Sequence, residues 1–153
     1  MRSLMQLAEE ASSTPLSETD IDWLHLLLAD WQVLADLAAA DLVLWLATDD
    51  GRFIAANHCR PATSTTVHVD DIIGLHLPAA REVDLRRAIQ TGQVVRAAAA
   101  RWAGTYSMME TCVPVYHDGR IIAVVTRERT CPAPVCPWAS RRGPSPRPTR
   151  CAR

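Results

Sequence analysis

Along the first third of the chain, apolar residues recur at helical spacing. Leu24, Leu27, Leu28, Trp31, Leu34, Leu37 and Ala38 fall at i, i+3, i+4 and i+7, so a single helix over 18–38 would carry them on one face. Asp22, His25, Gln32 and Asp36 fall mainly on the other side, and Ser17 is placed to cap the start. After Asp41 the period changes. Leu42 to Leu46 form a short apolar run of strand type, and Asp49-Asp50-Gly51 follows as a hairpin turn, with Arg52 to Cys59 returning as the partner strand.

A second Asp-Gly turn, Tyr116-His117-Asp118-Gly119, is flanked by the runs Met108–Tyr116 and Arg120–Arg127. The spacing predicts strands over 41–48, 52–59, 107–116 and 120–128. Between the hairpins, Pro61 to Thr66 reads as a loop, Thr65 to Val69 as a short strand, and Val94 to Ala100 as another. Pro78 opens a second helix that Gly92 stops, and its Arg81, Arg86 and Arg87 alternate with Glu82 and Asp84 as on a solvated face. Arg101 to Thr105 reads as a loop. The order is that of an α+β domain: an antiparallel sheet of five or six strands, a long N-terminal helix and a second helix packed on it.

Composition divides the chain at its end. Residues 1–129 hold eleven Arg against all seventeen acidic residues, a net charge of −6, whereas residues 130–153 hold five Arg and no acid. An acidic body argues against direct nucleic-acid binding. The last segment also holds six of the ten Pro and three of the five Cys, without either periodicity, and it cannot bury enough apolar surface to fold. The expected organisation is a lead segment over 1–17, one domain over 18–129 and a disordered Pro/Arg/Cys-rich tail over 130–153. Two origins for that tail stand side by side: a shifted reading frame in a GC-rich gene, or an ordinary basic end. The N-terminus lacks the apolar core of a signal peptide, and Asp30, Asp36 and Asp41 interrupt the most apolar region, so no membrane span is expected and the cytoplasm is the expected location. Cys59 and Cys112 would be reduced thiols there.

Enzyme motifs are missing: there is no P-loop, GxGxxG, GxSxG or HExxH, and no catalytic residue is assigned. His58, Cys59, His68, His76, Cys112 and His117 could ligate a metal, but no CxxC or HxxH spacing occurs, and neighbours on one strand, such as His58 and Cys59, point to opposite faces. Buried Cys and surface His are the simpler account, and no metal is assigned. Cys59 is a redox candidate because Arg60 beside it would favour the thiolate, against the plainer account of a packed thiol. Trp23 and Trp31, eight apart, lie close to one helical stripe; both could be core, or part of the stripe could meet a second copy.

The segments WQVLADLAAADLVLW and DDGRFIAANHCRPATSTTV carry a more specific signal. With PVYHDGRIIAVVTRERT they resemble, over residues 18–129, the N-terminal sensor domain of an actinobacterial family of soluble sensor histidine kinases. The matching positions include Trp31, Gln32, Asp36, Asp41, Trp45, Asp50, Gly51, Arg60, Pro61 and Thr63. The resemblance implies a GAF-like fold and a sensory input domain of a two-component system. It implies as partners a second copy through the N-terminal helices, PAS and histidine-kinase domains, and, indirectly, a response regulator with an RNA-binding antitermination domain. Nothing after Arg129 resembles those kinase regions, so the chain would be the sensory module alone. The implied signal is a small ligand or a redox change, with no cofactor named. The implied pocket lies between the sheet and the segment from Arg60 to Tyr106, with Trp102, Tyr106 and Met108 as walls and Arg60, Arg96 and Arg101 facing an anionic group. A ligand-free dimerisation or scaffold domain is the alternative.

Overall fold

The computed structural model describes residues 4–10, 16–103 and 106–131, with only the backbone described at 5, 10, 102, 103 and 106. Its elements are α1 (Leu4–Glu10), α2 (Glu18–Ala29), α3 (Trp31–Ala38), β1 (Asp41–Ala47), β2 (Phe53–Cys59), α4 (Ala79–Thr91), β3 (Val95–Arg96), β4 (Arg101–Ala103), β5 (Tyr106–His117) and β6 (Arg120–Thr130). The six strands form one antiparallel sheet in the order β2-β1-β6-β5-β3, with β4 also on β5. This is the expected α+β, GAF-like layout.

Both Asp-Gly turns form. Gly51 (φ +73) closes the first, with its N–H donating to Thr48 O at 2.8 Å. In the second, Asp118 and Gly119 both take positive φ, 47 and 75, as a two-residue turn matched to strand twist requires. Ser17 caps α2 as expected: Asp20 N donates to its Oγ at 3.2 Å, and Ser17 N donates back to Asp20 Oδ2 at 2.9 Å.

The single helix expected over 18–38 is interrupted. Asp30 (φ −105, ψ 12) closes α2 and opens α3. A short carboxylate competes with the backbone for hydrogen bonds and is at home at helix ends, which is where Asp30 stands. The expected stripe is buried only in part: Leu24 and Trp31 face the sheet, whereas Leu34 and Leu37 are 42% and 80% exposed.

Two apolar layers sandwich the sheet. Leu7, Leu24, Trp31 and Ala35 pack on Leu42, Leu44, Leu46 and Ile54 on one side. On the other, Leu77, Leu85 and Ala88 pack on Val43, Trp45, Phe53 and Val124, with α4 as the cover. Gly92 ends α4 in the left-handed region (φ 65), as expected.

Other expectations are corrected. Thr65 to Val69 forms no strand; residues 60–70 cross the sheet face as a strap. Of 94–100 only Val95–Arg96 is strand, and Arg101–Ala103 is strand β4 rather than loop. The charged face of α4 is not all solvated, because Glu82 is 5% exposed and Arg81 turns inward. Strand β6 reaches Thr130, and Cys131 N donates to Ser107 O at 2.7 Å. The rest of the expected tail lies outside the described residues.

Candidate functional site

Strand register builds a row of like charges. Asp41 on β1 pairs with Glu128 on β6, and Glu128 pairs with Glu110 on β5. Residues directly opposite share a face, so three carboxylates stand side by side beneath the strap and α4. Asp41 and Glu128 are fully buried and Glu110 is nearly so. Adjacent buried anions repel, and each must be compensated.

The compensation comes from three elements. Arg81, near the start of α4, grips Glu110 with two bonds (Nη2–Oε1 3.0 Å, Nε–Oε2 3.2 Å) and reaches Glu128 Oε1 at 2.5 Å. His68 of the strap meets Glu128 Oε2 at 2.6 Å. Thr126 Oγ1 donates to Glu128 Oε1 at 2.8 Å and accepts from Trp45 Nε1 at 2.8 Å, which ties the row to the apolar layer. Asp41 holds the strap by its backbone, accepting from the amides of Val67 and His68 and from Thr66 Oγ1. Arg60 clamps the strap at its other end, donating to the carbonyls of His68, Val69 and Asp70 at 2.8, 3.1 and 2.8 Å.

These contacts divide the carboxylates. Burial opposes the charge on Glu128, but His68, Arg81 and Thr126 outweigh it and hold its pKa down to about 2. Burial likewise opposes ionisation of Asp41 and is overcome by His58 and the 66–68 donors, so Asp41 lies below the usual range. For Glu110, burial prevails over Arg81, helped by repulsion from Glu128, and its pKa is raised. Glu110 is thus the carboxyl of the three that takes a proton most readily.

The residues expected to line an anion pocket are not brought together. Arg60 follows edge strand β2, whereas Arg96 on β3 and Arg101 on β4 lie at the opposite edge, four strand spacings or about 19 Å away. Arg101 is committed to Asp84 and to Ala80 O, Arg60 to its three carbonyls, and Arg96 points to solvent. Met108 is fully buried on β5. Trp102 and Tyr106 lie on paired strands β4 and β5, with side chains outside those described. Cys59 is half-buried near Gln32 Oε1 (3.5 Å), and burial together with Asp36 and Asp41 pushes its thiol up, the reverse of the activation expected from Arg60. Burial beside Glu110 pushes Cys112 up to about 12. Of the candidate metal ligands, His58 and His68 join the row, His117 pairs with Asp20 at 2.7 Å, and His76 bridges to Ile54 at the β2 edge. Among the described residues no group of three or more is arranged to hold a metal ion.

Sequence reasoning assigned Asp41, Arg81, Glu110 and Glu128 to no site, although Asp41 stood among the positions that carry the family resemblance. The available signal was an acid at an inward position of each central strand, on the faces of Val43, Cys112 and Thr126.

The opposite face carries a second feature. Trp23, Leu27, Trp31, Leu34, Val113 and Tyr116 line an apolar groove of about 440 Å³ between α2–α3 and β5–β6. On the same two helices Trp23, Leu26, Val33 and Leu37 are 36–80% exposed. With Asp30 they repeat at the alternating three- and four-residue spacing of a helix-pairing seam.

The family described as "Histidine kinase PdtaS, GAF domain" matches residues 7–139. The chain belongs to this PdtaS GAF-domain family. It is 30% identical over 121 residues to the sensor histidine kinase PdtaS of Mycolicibacterium smegmatis, covering 77% of this chain and 24% of that protein. Identity to PdtaS of Mycobacterium tuberculosis is 31% over 128 residues, with 78% and 24% covered. A solved structure described as the sensor region of a sensor histidine kinase superposes with a TM-score of 0.64 at 28% identity, covering 94% of this chain and 46% of that one. The chain spans about a quarter of the length of these PdtaS relatives and corresponds to their GAF sensor domain. No helix among its described residues is long and apolar enough to cross a membrane.

Proposed function

We propose that this PdtaS-type GAF domain is the input module of a cytoplasmic two-component sensor kinase. The strap and the carboxylate row receive the signal, and the α2–α3 seam joins two copies. The observation that carries this is the row itself. Three carboxylates in register on central strands contribute little to stability that apolar residues would not contribute better, so their placement favours a sensing role. Glu128 stands two residues from the end of β6, the end of the domain from which, in the kinases that the resemblance implies, PAS and kinase domains would follow. Those domains would phosphorylate the response regulator; the GAF domain itself would contact neither it nor nucleic acid. Incubated with labelled ATP, this chain is expected to acquire no phosphate.

The exposed seam supports pairing with a second copy. Leu26→Glu with Leu37→Glu should turn a dimer into a monomer in sedimentation equilibrium, and a wild-type chain that sediments as a monomer would remove this part of the account. For the sensory role, the domain should be grafted in place of its counterpart in the M. smegmatis kinase. The graft is expected to autophosphorylate at a rate that depends on solution conditions in a way a domain-deleted kinase does not; identical behaviour of the two would refute the role. One observation favours the ligand-free alternative: Arg81 and His68 themselves fill the space between cover and sheet.

A further inference from the structure

One buried nitrogen in the row lacks a hydrogen bond. His58 has a side chain 2% exposed, yet its Nε2 has no hydrogen-bond partner, and Asp41 Oδ1 stands 3.8 Å away, too far for a hydrogen bond. The ring of His68 meets the His58 ring edge-on, with centroids 5.4 Å apart. The groups facing this pair are Asp41 from β1, Glu110 and the Cys112 thiol from β5, Glu128 from β6 and Arg81 from α4. Farther along α4, Glu82 is committed to Arg52 and Arg86, and Asp84 to Arg101 of β4. Inside the row, three carboxylates face one guanidinium, leaving an excess of two negative charges that two imidazolium groups would cancel.

Uncancelled, that charge sits where water does not reach. The cheapest relief is to let water in by moving a cover. The strap is the cover that moves most easily: Ala62 and Thr63 tie its start to Asp36 of α3, but over the row it is held by Val67 and by side-chain contacts, from Asp41 to amides, Arg60 to carbonyls and His68 to Glu128, and not by a strand ladder.

We propose that the strap over residues 60–70 is a proton-operated latch. With His58 and His68 both protonated the row is neutral and the strap is closed; loss of those protons removes the charge that strengthens the His68–Glu128 contact, leaves two buried negative charges uncancelled, and opens the row to water. This rests on the sensory role proposed above and names the proton as its signal. Because Glu128 lies on β6, the last strand of the domain, release would reach a kinase joined after that strand.

The test uses the full 153-residue chain and follows hydrogen exchange at the Val67 and His68 amides, which donate to Asp41. Rates are expressed as protection factors, so that the intrinsic pH dependence cancels. From about pH 5 to about pH 8, the span over which imidazoles exchange protons, protection should fall about tenfold or more in the wild type. In His68→Gln, whose amide still donates to Glu128 but cannot titrate, protection should stay level. His58→Gln should reduce the fall and serves if His68→Gln does not fold. His117→Asn, at a histidine paired with Asp20 outside the row, should leave the fall intact. Level protection in the wild type, or an undiminished fall in the His68 and His58 variants, would overturn the latch. A graft that responds to another signal while protection stays level sinks the latch and spares the sensory role; an unresponsive graft with the fall present does the reverse.

Discussion

Replacing Arg81 by Met asks whether the row is as dry as its burial indicates. The Arg81 side chain is 12% exposed, and its carboxylate partners Glu110 and Glu128 are fully buried. Methionine keeps most of the volume and removes the charge, so Glu110 and Glu128 face each other across paired strands with only His68 and Thr126 in support. Removing one member of a buried ion pair costs about 3–5 kcal/mol, because the charge left behind is neither hydrated nor neutralised. For a domain of this size that corresponds to a fall of about 10–20 °C in Tm. The cost has a built-in check. Glu110, whose pKa burial raises, is the easier carboxylate to neutralise, so Glu110→Gln alone should cost under about 1.5 kcal/mol. Added to Arg81→Met it should recover part of the loss, giving a coupling of about 1–3 kcal/mol. Urea unfolding of the four proteins near neutral pH, followed by tryptophan fluorescence, measures all the terms. A cost below about 1 kcal/mol for Arg81→Met, or strict additivity of the two changes, would mean that water reaches the row and that the electrostatic reasoning fails.

Three further outcomes concern acid stability, the end of α4 and the core. Glu128 contributes stability that is complete above its unfolded value near 4.5 and is lost as pH falls through it towards the folded value of about 2; its share is on the order of 3 kcal/mol, and urea midpoints between those pH values should fall more steeply in the wild type than in Glu128→Gln. Gly92→Ala should cost about 1–3 kcal/mol, because φ is +65 and the new Cβ would lie 2.3 Å from Tyr116 Oη, and Tyr116→Phe should relieve part of that cost in the double variant; equal costs would show the clash to be unimportant. Trp31→Ala should destabilise by about 3–5 kcal/mol, since Trp31 is 3% exposed, whereas a loss under about 1 kcal/mol would place the indole outside the core.

The fold was largely legible because its signals are local. Two Asp-Gly turns, a Ser17 capping box and Gly92 fix element ends within a few residues, and strand-type runs flank each turn. The site was hidden by two β-bulges. In the first hairpin the register shifts between Leu44 and Trp45, which moves His58 opposite Val43 and onto the strap face; uninterrupted pairing from the turn would have put it opposite Leu42, on the helical side. In the second, the shift between Val115 and Tyr116 pairs Glu110 with Glu128, where direct counting from the turn would have paired it with Arg127. That count would have given an unremarkable ion pair in place of a row of acids. Arg81 was misjudged for a related reason: charge alternation along α4 says which residues are polar, not which of them a buried anion will draw inward. The break at Asp30 was foreseeable only as a cost, because an Asp inside an apolar helical pattern is tolerated or not according to packing the sequence does not display.

The claim that the buried row couples the domain to the kinase can be tested on the grafted M. smegmatis kinase by measuring autophosphorylation with Glu110→Gln in the grafted domain, against Arg96→Ala as a surface control. Glu110→Gln removes a charge from the row while leaving the domain folded. The account predicts that it shifts the autophosphorylation rate severalfold, whereas Arg96→Ala, altering a side chain that points to solvent, leaves the rate unchanged. Equal rates in both variants and the parent graft, with circular dichroism showing all three folded, would contradict it.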